Sequence, residues 1–150
     1  MPKLDFKIKS FAELDTKELY EILALRSEVF VVEQDCVYQD MDFKDQLAFH
    51  ICGYQGGELV AYTRVFGPGE YFDQTSIGRV LVKMSHRKKD FGIQIMQSSI
   101  RYIERVYKGK DIKISAQSYL ERFYKSLGFI PTGKTYLEDG IPHMEMIKNV

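Results

Sequence analysis

At 150 residues the chain is long enough to bury a core of its own, and residues 1–150 read as a single domain. Its 21 Lys and Arg residues balance 21 Asp and Glu residues, so charge gives no reason to expect nucleic acid or an anionic membrane as a partner. No apolar run approaches membrane-spanning length, and Cys36 and Cys52 fit neither a metal spacing nor a disulfide framework.

The opening MPKLDFKIKS alternates and is charged, unlike a signal peptide or an anchor, so a cytoplasmic protein without a bound metal is expected. Leu4, Phe6 and Ile8 alternate with Asp5, Lys7 and Lys9, the pattern of a half-buried strand. Asp15-Thr-Lys-Glu18 has the form of a helix N-cap with an acid three places on. Leu19, Ile22, Leu23, Val29 and Phe30 give that helix a buried side. Its exit is unusual, because a Val-Phe-Val-Val run meets a long polar connection with five carboxylates from Glu33 to Asp45. Connections of this length carry a function or are disordered. Residues 48–54 and 58–66 then read as two strands joined at Gln55-Gly56-Gly57.

The most informative stretch runs from Ser76 to Ile103. Ile77, Val80 and Val82, with Leu81 between them, make a short run rich in β-branched residues. The basic turn Ser85-His-Arg-Lys-Lys-Asp-Phe-Gly92 follows, after which Ile93, Met96, Ile100, Ile103 and Tyr107 repeat at helical spacing. A strand feeding a helix through a cationic turn can hold a phosphate. The first helical turn has N–H groups without internal partners, and the helix dipole favours negative charge there. The same pattern also occurs where nothing binds, and neither a G-x-x-x-x-G-K-[ST] nor a G-x-G-x-x-G signature is present.

Residues 111–116 alternate as another strand. Residues 118–127 read as a short helix with Leu120, Phe123, Tyr124 and Leu127 on one side and Gly128 as its C′ residue. Two last strands, about 134–137 and 143–148, flank the turn pair Asp139-Gly140. The order is strand, helix, three strands, helix, strand, helix, two strands. It implies an α+β fold whose central sheet is mixed, mainly antiparallel, and flanked by helices.

Arg79-Val-Leu-Val-Lys-Met-Ser-His-Arg87-Lys-Lys-Asp-Phe-Gly92 resembles the acetyl-CoA-binding segment of the GNAT N-acetyltransferases, a strand followed by Q/R-x-x-G-x-G/A and a helix. Arg87 takes the Q/R place and Gly92 the final small-residue place. Asp90 stands where the family has its first glycine, which lets the backbone come close to the pyrophosphate. An Asp there can act as an N-cap; its carboxylate lies near the phosphates, and Arg87, Lys88 and Lys89 offset it. Tyr119-Leu-Glu-Arg-Phe-Tyr124-Lys-Ser-Leu-Gly-Phe129 is similar to the family's later helix with its Tyr-x-x-x-Gly-Phe pattern, and Gln117 stands where many members have Asn. Leu25-Arg-x-x-Val-Phe-Val-Val-Glu-Gln34, together with Glu138-Asp-Gly-Ile-Pro-His143, resembles the ElaA-like branch. The element order is the family's as well, so the resemblance covers nearly the whole chain and implies the GNAT fold.

The resemblance implies transfer of an acetyl group from acetyl-CoA to a primary amine of a small-molecule or peptide acceptor. In the family, backbone groups of the central strand pair with the pantetheine arm and polarise the thioester; by position these are Leu81, Val82 and Lys83. The pyrophosphate meets the backbone of Arg87, Lys88, Lys89, Asp90, Phe91 and Gly92, and Gln117 joins the same site. Tyr124 matches the family's acid, a phenol with a pKa of about 10 that is protonated at neutral pH. Read from periodicity alone, it is a core aromatic.

An attacking amine must be neutral, so a base is required. Glu33, His50, Glu138 and His143 can each accept a proton, and for His50 a hydrogen-bonded place beside the sheet core is the plainer reading. Glu33, Asp40, Asp42 and Asp45 form either a solvated loop or an acidic rim that attracts a cationic amine, with Glu33 and Glu138 toward the acceptor. Arg64 and Arg79, on strands, either grip a substrate carboxylate or close ion pairs with the loop acids. Two further readings use the same residues. Arg26-x-x-Val-Phe is shared with acyl-homoserine-lactone synthases, and Asp90 suits an acyl-CoA-binding protein without catalysis. Exposed sheet edges leave a homodimer open.

Overall fold

The computed structural model describes residues 2–149. The elements follow the expected order: β1 (Asp5–Ser10), α1 (Thr16–Arg26), β2 (Phe49–Gln55), β3 (Glu58–Phe66), β4 (Thr75–Val82), α2 (Phe91–Val106), β5 (Ile112–Gln117), α3 (Glu121–Ser126), β6 (Ile130–Glu138) and β7 (Ile141–Lys148). Seven strands form one sheet in the order β1-β2-β3-β4-β5-β7-β6. Neighbours are antiparallel except β4 and β5, which α2 joins as the crossover that a parallel pair requires. Among the described residues no helix is long and apolar enough to cross a membrane.

Local chemistry sets the helix ends. The Asp15 carboxylate accepts from the Glu18 N–H at 2.7 Å, and the Glu18 carboxylate accepts from the Asp15 N–H at 3.0 Å, closing the expected capping box. α1 runs without a break into a π-helical turn, Ser27–Glu33. That turn holds the Val-Phe-Val-Val run, whose branched side chains crowd an α-helix, and π segments gather at functional sites. The buried stripe of this continuous helix is Ile22, Leu25, Arg26 and Val29, so it passes through a charged residue. α3 ends at Gly128, whose φ of +95° suits glycine. The Phe129 N–H reaches the Tyr124 carbonyl and the Gly128 N–H the Lys125 carbonyl, a Schellman closure.

Ile51 and Cys52 are adjacent in β2 and point to opposite faces of the sheet. On the Ile51 side, Phe91, Ile95, Met96, Ile100 and Ile103 of α2 bury against Val60, Val65, Ile112 and Ile114. On the Cys52 side, Ile22, Leu25 and Val29 pack on Leu59, Tyr62 and Leu81. Ile93, expected on the core side of α2, is only partly buried and faces a cavity instead.

β4 positions that cavity. It pairs with β5 only at Thr75↔Ile112 and Ser76↔Lys113, and beyond these the two strands part. Against β3 its register shifts opposite Tyr62–Arg64, where Arg79 takes a φ of +50°. A bulge of this kind bends a strand and re-aims its side chains.

Candidate active site

The gap between β4 and β5 holds a cavity of about 570 Å³. From Ile77 on β4 and Ile114 on β5, the facing edges have lost each other as ladder partners. Backbone polar groups there need another partner, which a bound extended chain with amide groups would supply. The volume is that of a small-molecule site.

At one end lies the turn from β4 into α2. The Arg87 N–H is bound to the Met84 carbonyl, and the first intrahelical bond runs from the Gln94 N–H to the Asp90 carbonyl. The N–H groups of Phe91, Gly92 and Ile93 therefore precede the helical ladder of a 16-residue helix. Lys88 and Asp90 have φ of +65° and +62°. Asp90 occupies the N-cap position, yet its side chain makes no capping bond, unlike the capping carboxylate the sequence suggests. The backbone position calls for a left-handed residue. Glycine meets that demand freely, and Asp is one of the few other residues that visit it. Among the described residues six non-glycines have positive φ, and four of them, Arg79, Lys88, Asp90 and Asp139, line this cavity. Backbone strain gathers at binding sites. A Cβ at Gly92 would make ordinary contact with the Phe123 ring of α3, at 3.4 Å.

Toward the middle stands Tyr124, 6% exposed and edge-on to Phe123 and Phe129. It belongs to the core and also lines the cavity, so its two readings are compatible. Among the described residues the sealed side-chain polar atoms without a partner are Arg64 Nε and Gln74 Oε1. The Tyr124 hydroxyl is not among them, and no described side chain bonds it; it opens on the cavity. Burial raises its pKa above the ordinary phenol value.

His143 stands in β7, with Nδ1 2.7 Å from the Ile141 carbonyl oxygen. A carbonyl only accepts, so Nδ1 carries the proton and the neutral ring keeps its lone pair on Nε2. The Glu138 carboxylate lies 3.4 Å from Nε2, and the Tyr136 ring stacks on the imidazole. The Tyr136 hydroxyl is held in turn by Ser115.

Glu33, Arg79, Leu81, Val82, Arg87, Lys88, Asp90, Phe91, Gly92, Gln117, Tyr124, Glu138 and His143 all come together around this one cavity. Lys89 is not among its lining residues. Lys83 turns away: its N–H bonds the Val60 carbonyl at 2.7 Å, its own carbonyl accepts from the His86 N–H, and its ammonium meets Glu58 at 2.9 Å. The Lys83 N–H is thus held by β3 and its carbonyl by the turn that follows.

Of the loop acids, Asp40, Asp42 and Asp45 pair with arginines and do not line the cavity, whereas Glu33 does. Arg64 binds Asp42 with Nη1 and Nη2 at 2.8 and 2.5 Å, and Asp45 with Nη1 at 2.9 Å. It lies off the main cavity, so the ion-pair reading replaces a grip on a substrate carboxylate. Arg79 bonds Asp40 through Nε at 2.8 Å and the Asp40 carbonyl through Nη2 at 2.7 Å, while still lining the cavity. His50 is buried off the cavity. Its Nε2–H donates to the Asp45 carbonyl at 3.0 Å, its Nδ1 accepts from Tyr62 at 2.6 Å, and burial lowers its pKa.

Glu33 accepts both terminal nitrogens of Arg87, at 2.5 and 2.8 Å. Sequence reasoning missed Cys36, Tyr38, Ser115 and Phe123, which also line the cavity. Cys36 donates to the Asp139 carbonyl at 3.4 Å. Tyr38 lies under the Arg79 guanidinium, and burial pushes its phenol up to about 12. The signal for both was their place in a long connection.

The model of the acetyltransferase (GNAT) domain matches residues 13–150. ElaA of Escherichia coli is 40% identical over 141 residues, covering 93% of this chain and 92% of that protein. The crystal structure of E. coli ElaA superposes with a TM-score of 0.91 at 37% identity, over 97% of this chain and 99% of that one. That of an acyl-CoA N-acyltransferase from Pseudomonas aeruginosa gives 0.90 at 39% identity, again over 97% and 99%. The AHL synthase LasI, 15% identical with a TM-score of 0.78 over 97% of this chain and 89% of that one, shares the fold alone. The chain belongs to the GNAT family of acyl-CoA N-acyltransferases, in its ElaA-like branch.

Proposed function

We propose that the protein moves an acetyl group from acetyl-CoA to a primary amine by direct attack, with Tyr124 protonating the departing thiolate. The observation that carries this reading is the Tyr124 hydroxyl, which has no partner among the described residues and opens from a buried ring onto a cavity that ends at the N-terminus of a long helix.

The donor's phosphates sit at the turn of residues 87–92, and its pantetheine arm follows the open edge of β4 at Leu81 and Val82. A strand N–H polarises the thioester carbonyl. The acceptor, a small-molecule or peptide amine, reaches the thioester from the side of Glu138 and His143. His143 accepts the amine proton on Nε2, directly or through water, and the imidazolium then faces the Glu138 carboxylate. The C–N bond forms, the C–S bond breaks, and the sulfur takes the Tyr124 proton. The burial that raises the phenol's pKa also raises the proton affinity of a thiolate formed beside it. A proton then returns from His143 to Tyr124 through water.

The test is amine-dependent release of thiol from acetyl-CoA across a panel of polyamines, amino acids and lysine peptides. Turnover that falls in both Tyr124→Phe and His143→Gln supports the reading. A second reading, an acyl-CoA-binding protein without catalysis, is favoured by the Asp90 carboxylate at the phosphate end. It predicts donor binding with no thiol release for any amine.

A further inference from the structure

The Arg87–Glu33 ion pair connects the two halves of the proposed reaction. Arg87 leaves the turn between β4 and α2, where the donor's phosphates are placed, and Glu33 ends the π-helical turn after α1. Both line the cavity. All three guanidinium nitrogens are bonded: Nε donates to the Val82 carbonyl at 3.0 Å, and Nη1 and Nη2 each donate to one oxygen of Glu33. Arg87 thus covers a backbone acceptor on the strand meant for the pantetheine arm, and it takes both oxygens of a carboxylate at the cavity wall.

This contact has the properties of one that exchanges. The side chains are 38% and 21% exposed, and ion pairs of that kind add little stability. A guanidinium fork fits phosphate as well as carboxylate, and phosphate brings more charge. Lys88, which has no carboxylate partner among the described residues, adds to the pull on an anion at the same turn. The other cavity-wall arginine, Arg79, is already held by Asp40 and is not free to compete.

We infer, resting on the function proposed above, that Arg87 and Glu33 form an exchange latch that orders binding. The donor's phosphates draw Arg87 off Glu33, and the freed carboxylate attracts the ammonium form of the acceptor. Glu33 is then a positioning carboxylate for a cationic amine, masked until the donor arrives. Each substrate strengthens binding of the other, since coupling between two sites is reciprocal.

Carbodiimide coupling of glycine ethyl ester, read by peptide mass spectrometry, reports which carboxylates are free. Labelling of Glu33 in the full chain is expected to rise severalfold on saturation with CoA, while Glu104 on the exposed side of α2 stays constant. By calorimetry, Glu33→Gln is expected to bind CoA about 2- to 5-fold more tightly than wild type, because no pair has to be broken. That gain is expected to vanish in an Arg87→Met background. If CoA binds but Glu33 labelling does not rise, or if Glu33→Gln binds CoA no better than wild type, the latch is wrong and the donor site stands. If wild type does not bind CoA at all, both the latch and the proposed function fall.

Discussion

Arg26 and Asp45 meet at 2.7 Å with both side chains buried. The same Asp45 oxygen accepts from Arg64 at 2.9 Å, and Arg26 also holds Asp40, which in turn holds Arg79. With Asp42 on Arg64, three arginines face three aspartates, so the network is neutral. It ties the connection after the π-helical turn to α1, β3 and β4, and through Arg79 it reaches the cavity wall. That connection is therefore ordered by buried charge pairs rather than by regular structure.

Removing one partner leaves the buried network with an unbalanced charge, which costs about 3–5 kcal/mol. Arg26→Met and Asp45→Ala are each expected to lower urea stability by that amount. Limited proteolysis is expected to cut first between residues 34 and 47. A change below about 1 kcal/mol, the size of an exposed ion pair, would show that the network does not anchor the loop.

Acid is expected to weaken the fold in two stages. Burial lowers the His50 pKa. Against an opposing burial effect, hydrogen bonds and charge from Arg64 hold Asp42 well below the usual carboxylate range, and those from Arg26 and Arg64 hold Asp45 below it. In all three cases the unfolded chain takes up a proton before the folded one does. Stability is full above about pH 6.5, declines as His50 protonates in the unfolded state, and declines again below about pH 4. Urea midpoints between pH 8 and 3 check this, and a flat profile contradicts it.

Tyr124→Phe keeps the ring that packs against Phe123 and Phe129 and removes only the cavity-facing hydroxyl. Its kcat is expected to fall about 10²- to 10³-fold with acetyl-CoA affinity unchanged. A loss of affinity instead would assign the hydroxyl to binding.

Asp90→Asn keeps a side chain that tolerates the left-handed backbone and drops the charge near the phosphates. It is expected to tighten acetyl-CoA binding about 3- to 10-fold. Asp90→Gly is expected to match that gain and to leave stability within about 1 kcal/mol, as relief of the backbone offsets the freer unfolded chain. Calorimetry and urea unfolding measure the two effects separately.

The element order was legible because apolar periodicity and turn signals are strong in this chain; β3, residues 58–66, lies where the turn signal at Gln55-Gly56-Gly57 places it. β6 starts at Ile130 rather than near residue 134, since Pro131 and Gly133 disguise its first half. Tyr124 was read as a core aromatic from its periodicity and as a site residue from motif resemblance, whereas the burial of His143 had no signal in the sequence. Ion pairs of Arg64 and Arg79 with the loop acids were one of two open readings, but which charges meet was hidden: Arg64 and its aspartates stand 19 and 22 residues apart, and Glu33 and Arg87 stand 54 apart. Local patterns carry no record of such pairings. Nothing local shows that the Lys83 N–H is paired to β3 or that Asp90 has a φ of +62°.

The central claim is that an acyl-CoA lies between β4 and β5 with its phosphates at the start of α2. Calorimetric titration of acetyl-CoA into wild type, Gly92→Ala and Gly92→Glu tests it most directly. A Cβ at residue 92 meets only the Phe123 ring, at 3.4 Å, and Val82, at 3.9 Å, so Gly92→Ala reports on folding and packing. The account expects saturable binding by wild type and Gly92→Ala, and loss of binding when Glu brings a carboxylate to the phosphates. No binding by wild type at millimolar ligand, or equal affinity in Gly92→Glu, would contradict it.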